Sequence, residues 1–581
     1  MNIIGINAFH ADSAACLVIN GELITAVEEE RFNRIKHWAG FPIESIKYCL
    51  ESANLKISDI DHISINIDPK ANYIKKLLFL IQHRPSFGLI INKLKNKQKY
   101  NSIEDILSKE FKNQKFKGKI NNIEHHYAHL SSAFHVSPFK EACVLSVDGF
   151  GDFASTAWGY GNDEKISIDQ KIYFPHSLGI FYQAMTQYLG FKNYGDEYKI
   201  MGLAPYGKPS YVNDLKKILL IQENGIFKIN LDYFKFHKEN FNYRWENGKV
   251  EIDDLYSQKL TDLFGTERER NDPLNQFHKD LAHSTQKVYE EAFINIVNNL
   301  YNKYKSNNLC IAGGCGMNSV ANGKIKNQTQ FKNIYIQPAA GDAGGSIGAA
   351  FATHFKNSHN KRSFEMRHAY WGTSFKDNEI LECLNKNNQK IKDQNCSFEK
   401  ITDDKILNKT VAKAISEGKV VGWFQGRMEW GPRALGNRSI LGDPRRTNMK
   451  DILNLKIKRR ESFRPFAPSI LREHVKEWFE NDDEVPFMMK VYQIKESKRY
   501  KIPAVTHVDG SGRLQTVYKE TNRKYYDLIN EFYKLTKVPI LLNTSFNENE
   551  PIVSSPNEAL ECFLRTKMEI LVISNYLIIR K

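Results

Sequence analysis

The segment from Ile123 to Phe134, IEHHYAHLSSAF, sets His125 and His129 four residues apart. On a helix that spacing sends both imidazoles off one face, one turn apart, and two nitrogens held toward a common point suit a single metal ion. The same spacing also serves a helix whose histidines only cap or pack. EACVLSVDGFGD reads as a buried strand ending on Asp148 in a glycine-flanked turn. NIYIQPAAGDAGGSIGAA repeats the plan, with Asp342 at the strand's end before a helix start of small residues. Two imidazoles and two strand-end carboxylates make a mixed N/O set, better suited to Fe(II), Mn(II) or Zn(II) than to Mg(II) alone.

A second chemistry lies in the last third of the chain. QGRMEWGPRALGNRSILGDPR is dense in Arg and Gly, KIKRRESFRPFAPSI adds Lys458, Arg460 and Arg464, THVDGSGRLQTV adds Arg513, and VPILLNTSFN adds Asn543, Ser545 and Asn547 after a buried strand. Guanidinium forks and ammonium heads gathered from separate segments are how a site holds several phosphates at once. A solvated charged face would not interleave Arg with WGPRALG and FRPFAP.

The elements that must position these groups follow from periodicity. MNIIGIN is a strand, AFHADSAA a polar loop carrying His10, Asp12 and Ser13, and ACLVINGELITAVEEE a hairpin about Asn20-Gly21. A strand, a short polar loop and a hairpin open the actin, sugar-kinase and Hsp70 class of folds. EEERFNRIKH (28–37) is either a solvated helix face or a polar rim to a cleft. YGDEYKIMGLAPYGKP (194–209) reads as a structured loop with Lys199 as a candidate anion contact, and residues 210–275 as an irregular aromatic region where a substrate could be selected. DLAHSTQKVYEEAFINIVNNLYNKY is a long amphipathic scaffold helix. NLCIAGGCGMNSVANGKI is a strand, a glycine turn and a helix; Gly313 and Gly314 would let backbone amides approach a nucleotide, and Asn318 opens the helix. FKNSHNKRSFEMRH lacks periodicity and marks the domain boundary, after which KILNKTVAKAISEG is a helix stopped by Gly418 and KVVGWF a strand.

At 581 residues the chain exceeds one ordinary core, so two or more domains are expected. The net charge of +15 comes largely from stretches such as NKLKNKQKYNS, and no RGG tract, zinc finger or basic helix with interleaved aromatics accompanies it. LLFLIQHRPSFGLIINKL is broken by His83, Arg84 and Pro85 and does not span a bilayer, so no membrane partner is expected. With no basic-then-apolar leader before MNIIGIN and eight cysteines lacking a CxxC pair, the expected location is the cytoplasm.

GINAFHADSAACLV, EEERFNRIKH, EHHYAHLSSAF, YGDEYKIMGLAPYG, GGCGMNS, GRMEWGPRALGNRSIL, FRPFAPSIL, THVDGSGRLQTV and LNTSFN, in that order, resemble the NodU/CmcH-type O-carbamoyltransferases, which modify nodulation factors, antibiotics and related metabolites. The resemblance spans nearly the whole chain. It implies an α/β protein with an actin-like (ASKHA, TsaD-like) metal-binding domain over residues 1–357 and a YrdC-like α/β domain over residues 366–581. It further implies that the second domain makes carbamoyl-adenylate from carbamoyl phosphate and ATP, and that the first passes the carbamoyl group to a hydroxyl of a small-molecule acceptor. Carried over, His125, His129, Asp148 and Asp342 hold Fe(II) or another divalent transition metal, and His10 acts as base or positions the hydroxyl. Gly313, Gly314 and Asn318 cradle the adenylate, while Arg433, Lys458, Arg460, Arg464, Arg513, Asn543 and Ser545 bind carbamoyl phosphate and ATP with Mg2+. The alternatives are a tRNA-modifying enzyme of the threonylcarbamoyl type and a non-catalytic nucleotide or metal sensor. Nucleic acid is not expected as a partner, and a homodimer is the oligomer to expect if one forms.

Overall fold

Strand β1 (Asn2–Asn7) is buried except at its first residue, as its apolar composition requires. It pairs antiparallel with β2 (Ala14–Ile19), which turns through Asn20 and Gly21, both at positive φ (52° and 89°), into β3 (Glu22–Glu28). Two left-handed residues are what a two-residue hairpin turn matched to strand twist needs. Strands β4 (His62–Ile65) and β5 (Lys119–Asn122) add in parallel on the other side of β1, giving the order β3-β2-β1-β4-β5. The computed structural model describes the chain apart from residues 84–102, 113, 238–242, 247–248 and 359. The break at Arg84 and Pro85 and the lysine-rich stretch NKLKNKQKYNS therefore lie outside the described residues.

The same plan recurs. Strand β6 (Glu141–Gly151) pairs antiparallel with β7 (Ala154–Asn162), and β7 with β8 (Lys165–Tyr173). After two short hairpins, β9 (Leu219–Ile221) with β10 (Phe227–Ile229) and β11 (Tyr243–Glu246) with β12 (Lys249–Ile252), strand β13 (Asn308–Ala312) joins β6 in parallel and β14 (Asn333–Ile336) joins β13. Read from its far edge, the second sheet runs β8-β7-β6-β13-β14, the order and pairing sense of the first. Two such sheets in tandem are the actin-like architecture. In each half a helix follows the fifth strand, His125–Phe134 in the first and Asp342–Asn357 in the second. They cross so closely that a Cβ on Gly348 would stand 1.7 Å from the Ala128 carbonyl oxygen, while Ser131 donates to the Gly348 carbonyl at 2.8 Å. The small-residue run AGGSIGAA is thus required by the approach of two backbones. Ile4, Ile6, Leu17, Ile63 and Ile65 cover the other face of the first sheet against the Ile43–Ser52 helix.

These elements belong to a unit formed by Met1–Ala321 and Ile325–Met366; Asn322–Lys324 and Arg367–Lys581 form a second. The second unit is built on a nine-stranded mixed sheet: β15 (Cys396–Lys400), β16 (Val421–Phe424), β17 (Arg438–Gly442), β18 (Ala467–Leu471), β19 (Lys490–Gln493), β20 (Ser511–Val517), β21 (Ile540–Ser545), β22 (Ile570–Ile573) and β23 (Tyr576–Arg580), in the order β15-β23-β22-β16-β17-β21-β18-β20-β19. Leu407, Val411 and Ile415 of the Asp404–Ser416 helix and Leu528, Ile529 and Phe532 of Arg523–Thr536 pack in its core. Gly418, at φ 96°, ends the first of these helices where its sequence predicts.

Three expectations change. Residues 194–209 are not a loop: Glu197–Leu203 is helical and Ala204–Tyr206 a 3-10 turn, with Ile200 and Leu203 buried. So short a helix, closed in by Gly195 and Gly207, carries too few repeats for its period to show. Residues 210–275 likewise contain the Val212–Ile218 and Gln258–Phe264 helices and the two short hairpins. The two carboxylates also sit differently from their expected strand ends. Asp148 lies inside β6, where the pairing with β7 breaks between Val147 and Gly151, and Asp342 is the first residue of its helix. Among the described residues no helix is long and apolar enough to cross a membrane.

Candidate metal centre and cationic site

Glu124 caps the helix that carries the histidines, accepting the Tyr127 N–H at 2.8 Å, and this makes His125 its first residue. His125 and His129 then present their Nε2 atoms side by side, 3.0 Å apart, with ring planes 86° to one another. Asp148 Oδ2 lies 3.0 Å from His125 Nε2 and 3.3 Å from His129 Nε2; Asp342 Oδ1 lies 3.7 and 3.5 Å from the same atoms. All four side chains are buried, and their four donor atoms fall within 4.8 Å of one another.

Each carboxylate has one oxygen held by the protein and the other turned inward. Gly314 donates its backbone N–H to Asp148 Oδ1 at 2.9 Å, and His10 Nδ1 meets Asp342 Oδ2 at 2.7 Å, across 332 residues of sequence. Asp342 Oδ1 is buried without a hydrogen-bond partner. Bonds of about 2.0–2.2 Å to one ion put neighbouring ligands roughly 3.0–3.5 Å apart, close to the spacings observed. An orphaned anionic oxygen facing two imidazole nitrogens at those spacings fits a cation of the N/O-liking transition series. The electrostatics agree. Burial works against charge on His129, yet Asp148 and Asp342 outweigh it and raise the imidazole to about 9. Burial likewise opposes ionisation of Asp148, but His125 and His129 hold it well below the ordinary carboxylate range.

Several supports were not evident from sequence. A Cβ on Gly151 would lie 2.0 Å from the His125 ring, so the imidazole stacks against bare backbone. Asp152 Oδ2 accepts the His125 N–H at 2.9 Å and the Asp68 N–H at 2.8 Å. His126, inside the same motif, turns away to Ser146 Oγ at 2.9 Å, and burial lowers its pKa to about 4. EEERFNRIKH is no solvated face. Glu28, Glu29, Glu30 and Arg31 are buried, Glu29 takes the Ser45 N–H and hydroxyl, and His37 joins Asp12 at 2.8 Å while its N–H reaches Glu30. Asp12, Glu30 and His37 form a second group of converging donors.

The remaining candidates fall as follows. Gly313 adopts φ 88° and donates to the Ala340 carbonyl, so the glycine turn lies directly beside Asp148 through Gly314. Asn318 caps the Ser319–Gln328 helix and exchanges hydrogen bonds with Gln286. Lys199 pairs with Asp196 at 3.1 Å.

In the second unit Lys458 is buried and donates to Ser545 O (2.6 Å), Asn547 O (2.7 Å), Asn547 Oδ1 (2.6 Å) and Ser545 Oγ (3.2 Å). Burial, then Arg460 and Arg464, pulls its pKa well below the usual lysine value. Burial and Arg513 do the same to Arg433, and burial and Arg464 lower Arg513 to about 10. These mutual effects place Arg433, Arg513, Arg464, Arg460 and Lys458 in one neighbourhood, where an incoming polyanion would relieve the repulsion. Arg460 is further held by Asn454 at 2.7 Å and over the Phe466 ring. Asn543 is tied into a buried network with Gln515, Ser469 and the Ala434 carbonyl. In GRMEWGPRALGNRSIL, Glu429 gathers the N–H groups of Leu435, Asn437 and Arg438, and the buried Arg438 binds backbone carbonyls, so those two residues hold the loop that carries Arg433.

Residues 2–351 match the family described as carbamoyltransferase N-terminus, and residues 412–580 match carbamoyltransferase C-terminus. The nodulation protein NolNO of Sinorhizobium fredii is 38% identical over 98% of this chain and 79% of its own length. NolO of Bradyrhizobium diazoefficiens is 37% identical over 78% of each. The crystal structure of T. kodakarensis HypF overlaps 61% of this chain and 47% of its own, at 12% identity and a TM-score of 0.31.

Proposed function

We propose that this protein, which belongs to the carbamoyltransferase family, is an ATP-dependent O-carbamoyltransferase that forms carbamoyl-adenylate in its second unit and carbamoylates a small-molecule hydroxyl in its first. In the first reaction carbamoyl phosphate releases phosphate with one water consumed, and the carbamate oxygen bonds to the α-phosphorus of ATP as pyrophosphate leaves. Arg433, Arg464, Arg513 and Lys458 offset the charge that shifts between phosphate oxygens. In the second reaction the acceptor oxygen bonds to the carbamoyl carbon, the bond to the AMP oxygen breaks, and the hydroxyl proton must be taken up. His10 is suited to that task because Asp342, 2.7 Å from its Nδ1, orients the ring. Asp342 outweighs burial and raises the His10 pKa, which increases the ring's appetite for that proton. A divalent transition ion held by His125, His129, Asp148 and Asp342, Fe(II) by the family resemblance, would supply Lewis-acid polarisation of the carbamoyl oxygen.

One observation carries this reading: His10, whose side chain is 23% exposed, shares Asp342 with the buried N/O cluster, which supports a proton acceptor beside a candidate cation site. The experiment is pyrophosphate release from ATP and carbamoyl phosphate by the purified protein, followed by mass spectrometry of carbamoylated products in a metabolite extract. Lys458→Met is expected to abolish pyrophosphate release while leaving the metal content of the first unit unchanged. A wild-type protein that releases no pyrophosphate with either substrate order would end the proposal.

A further inference from the structure

We propose that His37 binds the acceptor in the first unit, giving a hydrogen bond from Nε2 to an electronegative atom beside the hydroxyl that is carbamoylated. This inference rests on the carbamoyl-transfer reading above. The segment carrying His37 and the loop carrying His10 are built as one piece. Phe9 and Ser13 donate their N–H groups to the Gly40 and Trp38 carbonyls at 3.0 and 2.9 Å, and the Ser13 hydroxyl reaches the Gly40 carbonyl at 2.7 Å. Asn7, itself buried, holds the Ala11 and Asp12 carbonyls at 2.8 and 2.9 Å. Two His–Asp pairs stand on this piece: His10 with Asp342, and His37 Nδ1 with Asp12 Oδ1 at 2.8 Å. Phe9, Asp12, Arg34 and His37 all sit in the left-handed region, at φ 59°, 58°, 62° and 55°. Residues with side chains keep that backbone where a functional site needs one particular loop path.

The first pair adjoins the candidate metal centre, with the His10 and His125 rings 5.6 Å apart. The second pair is half-exposed, 26% for the His37 side chain and 34% for that of Asp12. With Asp12 on Nδ1, the other polar atom of the ring is Nε2. Gly195, at φ 80°, is what clears that edge: a Cβ there would stand 2.6 Å from Nε2, while the Tyr194 ring meets the imidazole edge to face at 5.4 Å. Burial and Lys36 oppose charge on His37, but Asp12 and Glu30 outweigh them and raise its pKa, which keeps a proton on the ring to donate. Charge also selects the occupant. Asp12 offsets the imidazolium, and Glu30 is already met by Arg31 at 2.8 Å. A pair so balanced suits a neutral hydrogen-bonding group of the acceptor better than the phosphate of the adenylate.

The test gives the full chain ATP, carbamoyl phosphate and Fe(II), with a dilution series of a metabolite extract as the acceptor and mass spectrometry of the carbamoylated product as the readout. His37→Asn suits the left-handed backbone, keeps an amide nitrogen near the place of Nδ1 for Asp12, and removes Nε2. It is expected to form product about tenfold more slowly in dilute extract and to recover toward the wild-type rate in concentrated extract. His37→Gln, whose amide nitrogen reaches the place of Nε2, should stay close to wild type throughout. Circular dichroism and retained metal report that each variant is folded. A folded His37→Asn protein that matches wild type in dilute extract overturns the proposal. So does a loss of one size at every dilution, which would assign His37 to the adenylate or to the chemistry, and so does an equal loss in both variants, which would assign it to packing. Wild-type protein that carbamoylates nothing in the extract overturns the carbamoyl-transfer reading and this inference with it, a result distinct from the other three.

Discussion

Asp148→Asn isolates what the carboxylate charge contributes to the proposed metal centre. The amide oxygen can still accept the Gly314 N–H at Oδ1, so the β6 bulge keeps its support. What disappears is the anionic oxygen 3.0 and 3.3 Å from the two Nε2 atoms. Even at 4 Å and an effective dielectric of about 20, two unit charges attract by about 4 kcal/mol. A coordinated divalent ion is nearer and doubly charged, so that figure is a floor for the loss, about a thousandfold in Kd. The assay is anaerobic equilibrium dialysis against Fe(II), Mn(II) and Zn(II) with metal analysis of the retained protein, alongside circular dichroism to establish that the variant is folded. Pyrophosphate release serves as the internal control, since it is assigned to the other unit and should persist. A folded Asp148→Asn protein that holds any of these ions with wild-type stoichiometry and affinity refutes the assignment of this cluster as a metal centre.

Further outcomes follow from individual contacts. His10→Gln should leave pyrophosphate release intact and slow carbamoyl transfer by roughly 10²–10⁴-fold, read as adenylate that accumulates unspent; equal rates in both half-reactions would remove His10 from the chemistry. Burial, then Asp196, raises Glu197 to about 7, above its unfolded value of 4.5. The folded state therefore holds this proton more tightly, and its contribution to stability, fully present below pH 4.5, is lost as pH rises through 7. Glu197→Gln should accordingly melt higher than wild type at pH 8 and alike at pH 4.5, and identical melting curves at pH 8 would contradict this. Gly348→Ala places a methyl against the Ala128 carbonyl and should cost about 3 kcal/mol or more, seen as a lowered denaturant midpoint with reduced metal content; a wild-type midpoint would mean the two helices part without penalty.

Much of the site was legible because its parts are local. The i, i+4 spacing of His125 and His129 places both nitrogens on one helix face whatever surrounds them, and Asn20-Gly21 can hardly be other than a hairpin turn. The arginine motifs pointed to a candidate anion site by interleaving charge with apolar and glycine residues. Their division of labour stayed hidden: Arg433 and Arg438 share one motif, yet one lies beside Arg513 and the other is spent on backbone carbonyls. Sequence cannot separate them, because both are guanidinium groups in the same setting and only the path of the loop aims them apart. The short Glu197–Leu203 helix escaped for want of length, and the buried state of EEER escaped because its partners, Ser45 and Glu44, lie beyond the motif.

What the sequence determined by itself was the chemistry available, two imidazoles on one rigid turn and a set of cations on another part of the chain, since these depend only on residue type and helical geometry. What the tertiary structure decided was the meeting of His10, Asp148 and Asp342 with that turn. It depends on two sheets of the same strand order, on a ladder that breaks at Asp148, and on two helices that approach at Gly348. Contacts between residues hundreds of positions apart are set by packing, and packing is a property of the folded whole.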